Sequence, residues 1–261
     1  MQMHQVTAAK EILFTFTRSL LDGVLFDLDG VVTNTATVHA RAWKTMFDDF
    51  LQQWTKRTGP PQSAFDIVHD YARYVDGLPR LEGAARFLAS RGITLPQGLA
   101  SDPPGTRTIA ALANWKNALL LELIRRHGVD VYPTTVSLLR DLRHGGYRIA
   151  VVSSSANCLA ILESAGLLDV FDARVDGLDL ARQRLRGKPA PDAFLEAARR
   201  LDVAPPRAAV VEDAVAGVQA GHAGGFGVVI GVDRLGQADA LTQAGATVVV
   251  QDLAQTAART I

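Results

Sequence analysis

Val24-Leu25-Phe26-Asp27-Leu28-Asp29-Gly30-Val31-Val32 is an apolar run that stops at two carboxylates two residues apart, with a glycine directly behind them. In a strand, residues i and i+2 face the same side. A strand ending here projects Asp27 and Asp29 together from its C-terminal edge. Gly30 then lets the backbone turn sharply, because it has no side chain to forbid unusual dihedrals. Open α/β sheets bind their ligands at that edge. Carboxylates this close repel unless a cation or a shared proton relieves them. A strand running into an ordinary acidic turn would look the same, so the meaning of the pair depends on what stands at the ends of other strands.

Three further stretches answer to that description. In Val151-Val152-Ser153-Ser154-Ser155-Ala156-Asn157, hydroxyls and free backbone N–H groups precede a helix start, which suits a phosphate as well as it suits a plain helix cap. Gly187-Lys188-Pro189-Ala190-Pro191-Asp192 sets a lysine on a proline-flanked turn before a helix. Val210-Val211-Glu212-Asp213 repeats the pattern of an apolar strand ending in acids. A hard cation such as Mg²⁺ takes carboxylate and carbonyl oxygens, and Asp27, Glu212 and Asp213 offer them.

The periodicity places these stretches in an alternating frame. The leading residues 1–20 read as a helix or arm, and Gly23 to Leu28 as the first strand. From Thr37 to Trp54, Val38, Ala42, Trp43, Met46, Phe47, Phe50 and Trp54 fall on one helical stripe, broken by Gly59-Pro60-Pro61. Short helices follow over residues 64–92, with a turn at Asp76-Gly77-Leu78-Pro79. A loop is expected over Leu95–Thr106 and a helix over Ile109–Arg126. Trp43, Trp54 and Trp115 belong to the core of this helical stretch. Beyond Pro133, helices (136–142, 156–165, 214–223) alternate with strands (147–153, 208–211, 226–230, 247–250). Such alternation predicts a parallel sheet covered by helices on both faces. The helical residues in between form an insertion, giving a core of residues 1–34 and 132–261 and a cap of residues 35–131. Gly224-Gly225-Phe226-Gly227 is similar to a dinucleotide-binding turn but precedes a strand instead of following one, so it is set aside.

Composition narrows the class. The 261 residues include 27 basic and 27 acidic ones, so no global field favours nucleic acid or a membrane surface. The only cysteine, Cys158, forms no intrachain disulfide and fits a reducing cytoplasm. The first twenty residues lack the basic and long apolar regions of a signal peptide. No apolar run approaches the ~18 residues needed to span a bilayer.

Taken together, the DLDGV at Asp27–Val31, the SSS at Ser153–Ser155, the GKPAPD at Gly187–Asp192 and the ED at Glu212-Asp213 resemble the four motifs of the haloacid dehalogenase superfamily. The insertion resembles the small helical cap of one of its subclasses, and the β-phosphoglucomutase-like subfamily is the nearest resemblance. DGLPRLEG at Asp76–Gly83 is similar to that subfamily's cap specificity loop, and WKNALL carries the matching lysine, Lys116. Asn34 stands where many relatives have an acid.

The resemblance implies a Rossmannoid α/β core and phosphoryl transfer on a sugar phosphate through an aspartyl-phosphate. Asp27 would be the nucleophile and Asp29 the general acid and base. The implied Mg²⁺ ligands are Asp27, the Asp29 carbonyl, Asp213 and Glu212. Thr35, His39, Gly77, Arg80, Lys116, Ser153, Ser154, Asn157 and Lys188 would bind the substrate and its phosphates. A cytoplasmic monomer is expected. A sugar-phosphate phosphatase, with water as acceptor, shares this core. A receiver-like signalling domain also gathers acids, a hydroxyl and a lysine around a phosphorylated aspartate, but the insertion, the length and Asp29 at the +2 position argue against it. A catalytically idle binding protein is opposed by the complete set of acids, hydroxyls and lysine.

Overall fold

The computed structural model describes residues 11–258. In chain order its elements are β1 (Phe14–Phe16), β2 (Gly23–Asp27), α1 (Ala36–Thr58), α2 (Arg80–Ser90), α3 (Ile109–His127), α4 (Pro133–His144), β3 (Arg148–Val152), α5 (Cys158–Ala165), β4 (Ala173–Val175), α6 (Gly177–Gln183), α7 (Asp192–Leu201), β5 (Ala208–Glu212), α8 (Val215–Ala223), β6 (Val228–Val232), α9 (Ala238–Gln243), β7 (Val248–Val250) and β8 (Thr256–Ala258). One irregular π-type turn, Tyr71–Val75, lies between α1 and α2.

Six strands form one parallel sheet in the order β4-β3-β2-β5-β6-β7. β2 is central, with Asp27 level with Val152 of β3 and Phe26 level with Val211 of β5. Every residue of β2 and β5 is buried, because helices cover both faces and leave no polar side to the strands. The two faces divide by strand alternation. Val24, Phe26, Ile149 and Val151 pack on Leu138, Leu139 and Leu142 of α4 and on Ile161 of α5. Leu25, Ala150, Val152 and Val210 pack on Phe194, Ala197 and Ala198 of α7 and on Val218 of α8.

The helices α1, α2 and α3 have a core of their own. Phe47 stacks on Trp43 at 5.1 Å and meets Phe65 and Phe87 at 5.2 and 4.1 Å between ring centroids. Phe47, Phe65 and Phe87 are fully buried, and each contributes roughly 1.5–3 kcal/mol through the surface removed from water. Trp54 and Trp115 pack against the same cluster. This helical unit sits over the C-terminal edge of the sheet and touches it: Ser154 Oγ donates to Gly77 O at 2.8 Å, and Asn157 Nδ2 donates to Asn117 Oδ1 at 2.7 Å.

Within the expected leading helix or arm, residues 14–16 are a strand, and residues 1–10 lie outside those described. Phe14 and Phe16 alternate around Thr15, and β1 is held by parallel pairing with β8 at the far end of the chain. β4, α6 and α9 are additional elements. They are three, seven and six residues long, too short to carry a clear period. No helix of the described residues is long and apolar enough to cross a membrane.

Candidate active site

β2 ends at Asp27, one residue earlier than the apolar pattern suggests, and Asp29 reaches the same cavity from the turn beyond it. That turn is closed by Gly30 N–H donating to Thr33 O at 2.7 Å and Thr33 N–H donating to Leu28 O at 2.9 Å. Gly30 has φ +97°, and a Cβ there would lie 1.8 Å from Asp213 Oδ2, so only glycine lets the two loops pass. The Asp29 carboxylate accepts from Thr35 Oγ1 and, at 3.3 Å, from Ser153 Oγ. His39 Nε2 stands 3.6 Å from Asp29 Oδ1, the oxygen that accepts from Thr35.

Beneath Asp27 the Lys188 ammonium, 1% exposed, donates to both Asp27 and Glu212. Burial opposes its charge, yet these carboxylates outweigh burial and push the ammonium well up from the usual lysine range. The second Glu212 oxygen accepts from Ala214 N–H at 2.8 Å, so Glu212 chiefly orients Lys188 and the start of α8. Carboxylate oxygens of Asp27, Glu212 and Asp213 lie within 4.8 Å of one another. Burial raises Asp27 and Asp213 well above the usual carboxylate range, with Lys188 lowering both only in part. Buried oxygens this close, with one lysine among them, are the donor set of a hard divalent cation, and the residues therefore fit one.

On the cap side, Arg80 opens α2 and makes no ion pair among the described residues; partial burial lowers its pKa. The N-terminal end of α2 adds the positive pole of its dipole beside it. Lys116 Nζ lies 3.2 Å from His39 Nδ1, and burial pulls this ammonium down to about 7. Burial first, and Lys116 second, push His39 down to about 4, against the pull of Asp29.

Of the residues singled out from sequence, Asp27, Asp29, His39, Gly77, Arg80, Lys116, Ser154, Asn157 and Asp213 line one cavity. Thr35, Ser153 and Lys188 stand behind it, bonded to Asp29 or Asp27, and Glu212 stands behind Lys188. Asn34 instead accepts from Tyr132 Oη at 3.0 Å. Tyr71, Asp76 and Asn117 also line the cavity and were not singled out. Asp76 and Asn117 are immediate neighbours of Gly77 and Lys116, so the quoted motifs contained them. Tyr71 carried no signal.

His39 makes stability depend on pH. Its folded value of about 4 lies below its ordinary 6.5, so between these limits the unfolded chain binds a proton that the folded one does not. Stability therefore rises with pH across this window and falls as pH drops through it, by up to ~1.4 kcal/mol per unit. The His39→Gln variant is expected to lose this share of the slope, read from urea unfolding at about pH 4.5 and pH 7. Equal slopes in variant and wild type would mean that His39 is not held neutral.

A haloacid dehalogenase-like hydrolase family model matches residues 21–225, which span all four stretches; three of them stand at strand ends, while Gly187–Asp192 lies between α6 and α7. The chain belongs to that family. It is 47% identical over 234 residues to a β-phosphoglucomutase of Mycobacterium tuberculosis, covering 88% of this chain and 89% of that one. A β-phosphoglucomutase of Bacillus subtilis is 32% identical, over 81% of this chain and 84% of its own length. The crystal structure of a β-phosphoglucomutase from Clostridium difficile superposes with a TM-score of 0.69 at 26% identity, covering 90% of this chain and 93% of that one. Membership and likeness at this level make the chain an enzyme of the phosphotransferase type, not a receiver domain.

Proposed function

We propose that this enzyme is a β-phosphoglucomutase, converting β-glucose 1-phosphate to glucose 6-phosphate through the 1,6-bisphosphate. The observation that carries this reading is that one cavity has two separate places for an anion. On the core, Lys188 donates to Asp27 and Ser153 to Asp29, with Ser154 lining the cavity beside them, while Arg80 lines it from the cap. A substrate phosphorylated at both ends suits such a cavity. The 47% likeness to a β-phosphoglucomutase supports the same reading. The enzyme works as a cytoplasmic monomer on a small sugar phosphate.

In this mechanism an Asp27 oxygen attacks phosphorus in line. The bond from phosphorus to the sugar oxygen breaks, and Asp29 gives its proton to that oxygen. The 6-hydroxyl of an incoming β-glucose 1-phosphate then attacks the aspartyl-phosphate, giving its proton to Asp29 and freeing the Asp27 carboxylate. The 1,6-bisphosphate so formed turns round, its 1-phosphate passes to Asp27 and glucose 6-phosphate leaves. Thr35 and Ser153 hold Asp29 for both transfers. Lys188, which donates to Asp27, offsets charge on the transferring oxygens, which is most of what phosphoryl transfer requires. Mg²⁺ would be held by Asp27, Asp213 and the Asp29 carbonyl, with Glu212 at its side. When bound it supplies positive charge between nucleophile and phosphate. The contacts Ser154–Gly77 and Asn157–Asn117 keep the cap down and water out.

The test is incubation of pure protein and Mg²⁺ with β-glucose 1-phosphate, with and without a trace of glucose 1,6-bisphosphate. Formation of glucose 6-phosphate, accelerated by the bisphosphate, is expected. Release of phosphate without isomerisation would replace the mutase by a sugar-phosphate phosphatase. Arg80→Ala, which removes a charge-assisted grip on the second phosphate, is expected to lower isomerisation by at least ~10-fold. The ratio of hydrolysis to transfer should rise, because the cap no longer closes on the bisphosphate. A parallel fall of both activities would mean that Arg80 supports the fold instead.

A further inference from the structure

The loop after β6 belongs to none of the four motifs, yet it reaches the turn that carries Asp29. Arg234 stands just beyond the end of β6 at Val232, on the edge of the sheet where the cavity opens. Its side chain is 15% exposed and lines no part of the cavity. Nε donates to Gly30 O at 3.0 Å, and the guanidinium carbon lies 3.7 Å from the centre of the Tyr132 ring. Nη1 stands 3.8 Å from Asp252 Oδ2. Nη2 is buried with no hydrogen-bond partner among the described residues. A buried donor left unpaired costs free energy, so a side chain kept only to fill this space would not be an arginine.

Both close contacts lead to Asp29. Gly30 is the next residue, and Arg234 holds its carbonyl while its N–H donates to Thr33 O. Tyr132 leads there by a second route. Its hydroxyl donates to Asn34 Oδ1, and Asn34 adjoins Thr35, which donates to the Asp29 carboxylate. The backbone repeats this link. Asn34 N–H donates to Asp130 O at 2.8 Å and Tyr132 N–H to Val32 O at 3.1 Å, so the two chain passages between core and cap are paired with each other. Arg234 lies over Tyr132 of that pair and grips the turn beside it.

Asp29 must give its proton to the sugar oxygen as the bond from that oxygen to phosphorus breaks. Such a group has little room for error, since a misplacement of about 1 Å can cost ~100-fold in rate. We infer that Arg234 is a positioning residue for this proton transfer. Through Gly30 on one side and Tyr132 on the other, it fixes the turn that aims Asp29 into the cavity. A lysine could donate to Gly30 O, but it has no flat face to lay on Tyr132 at the same time. This inference deepens the sugar-phosphate reading above and rests on it.

The test compares phospho-enzyme formation in wild type, Arg234→Met, Arg234→Lys and Tyr132→Leu with two phosphate donors. With β-glucose 1,6-bisphosphate, a sugar oxygen leaves and takes the Asp29 proton. With acetyl phosphate, acetate leaves as a stable anion that needs no proton. The same Asp27 oxygen attacks in both. In Arg234→Met the rate constant with the bisphosphate should fall by ~10-fold or more, with KM unchanged within ~3-fold, while that with acetyl phosphate falls by less than ~3-fold. Arg234→Lys should recover part of the loss, and it carries the comparison if Arg234→Met does not fold. Tyr132→Leu should show a smaller loss with the same donor preference. Joined to Arg234→Met, it should cost less than the product of the two single losses.

Equal losses with the two donors would overturn the inference and leave Arg234 a support of the fold. So would an Arg234→Met variant that keeps the wild-type rate with the bisphosphate. Losses that simply multiply in the double variant would strike out the route through Tyr132. If wild type releases phosphate without isomerising the sugar, the mutase reading fails alone. The two donors then still decide Arg234, because a sugar oxygen leaves in either case. If wild type takes phosphate from no sugar phosphate, both fail.

Discussion

Asp27→Asn is expected to abolish turnover, lowering kcat by ~10⁴-fold or more and leaving no phospho-enzyme to be trapped. The change removes one nucleophilic oxygen and almost nothing else. Asparagine keeps the length and shape of the side chain at the end of β2, where the backbone is buried between β3 and β5. Lys188 keeps Glu212 as a partner, and one of several crowded buried carboxylates is gone, so the fold should persist. Rapid-quench labelling with β-glucose 1,6-bisphosphate checks the chemistry, and thermal melting checks the fold. Activity within ~100-fold of wild type would move the nucleophile to another residue. An unfolded variant would instead show that Asp27 serves chiefly as the counter-charge of Lys188.

The elements that carry this prediction were legible because each obeys a local rule. An apolar run that ends in acids or hydroxyls before a helix marks the functional edge of a parallel sheet. Asp27, Ser153, Glu212 and Asp213 all stand at such ends. The helical stripe through Trp43, Phe47 and Phe50 likewise predicted the core on which the cap is built. What escaped had no local rule. Tyr71 belongs to a short turn of π type, which no hydrophobic period announces. β1 is a strand because of β8, a partner brought near only by the finished fold. Asp29 shares the cavity with Asp27 through the turn at Gly30 and the grip of Thr35 and Ser153, not through strand alternation. The proximity of Gly30 to Asp213 is a long-range constraint of the same kind.

Lys188→Met is expected to cost both activity and stability, and the two losses have one origin. The ammonium is 1% exposed and donates to Asp27 and Glu212, themselves buried, with the Phe194 ring 5.1 Å away. Methionine fills much of the same space but leaves both carboxylates without their counter-charge. Breaking a buried pair from one side costs about 3–5 kcal/mol, since the remaining charge is uncompensated. Urea unfolding in the presence of a chelator should show a loss of that order. The same ammonium offsets charge on the transferring phosphoryl group. Its removal is expected to lower kcat by ~10³-fold, the scale at which a single preorganised cation acts in phosphoryl transfer. Lys188→Arg should not rescue it, because the planar guanidinium needs space that a fully buried lysine between Asp27, Glu212 and Phe194 does not leave. A kcat within ~10-fold of wild type in Lys188→Met would refute the catalytic role. An unchanged urea midpoint with lost activity would confine Lys188 to the chemistry and remove it from the forces that hold β2 against β5.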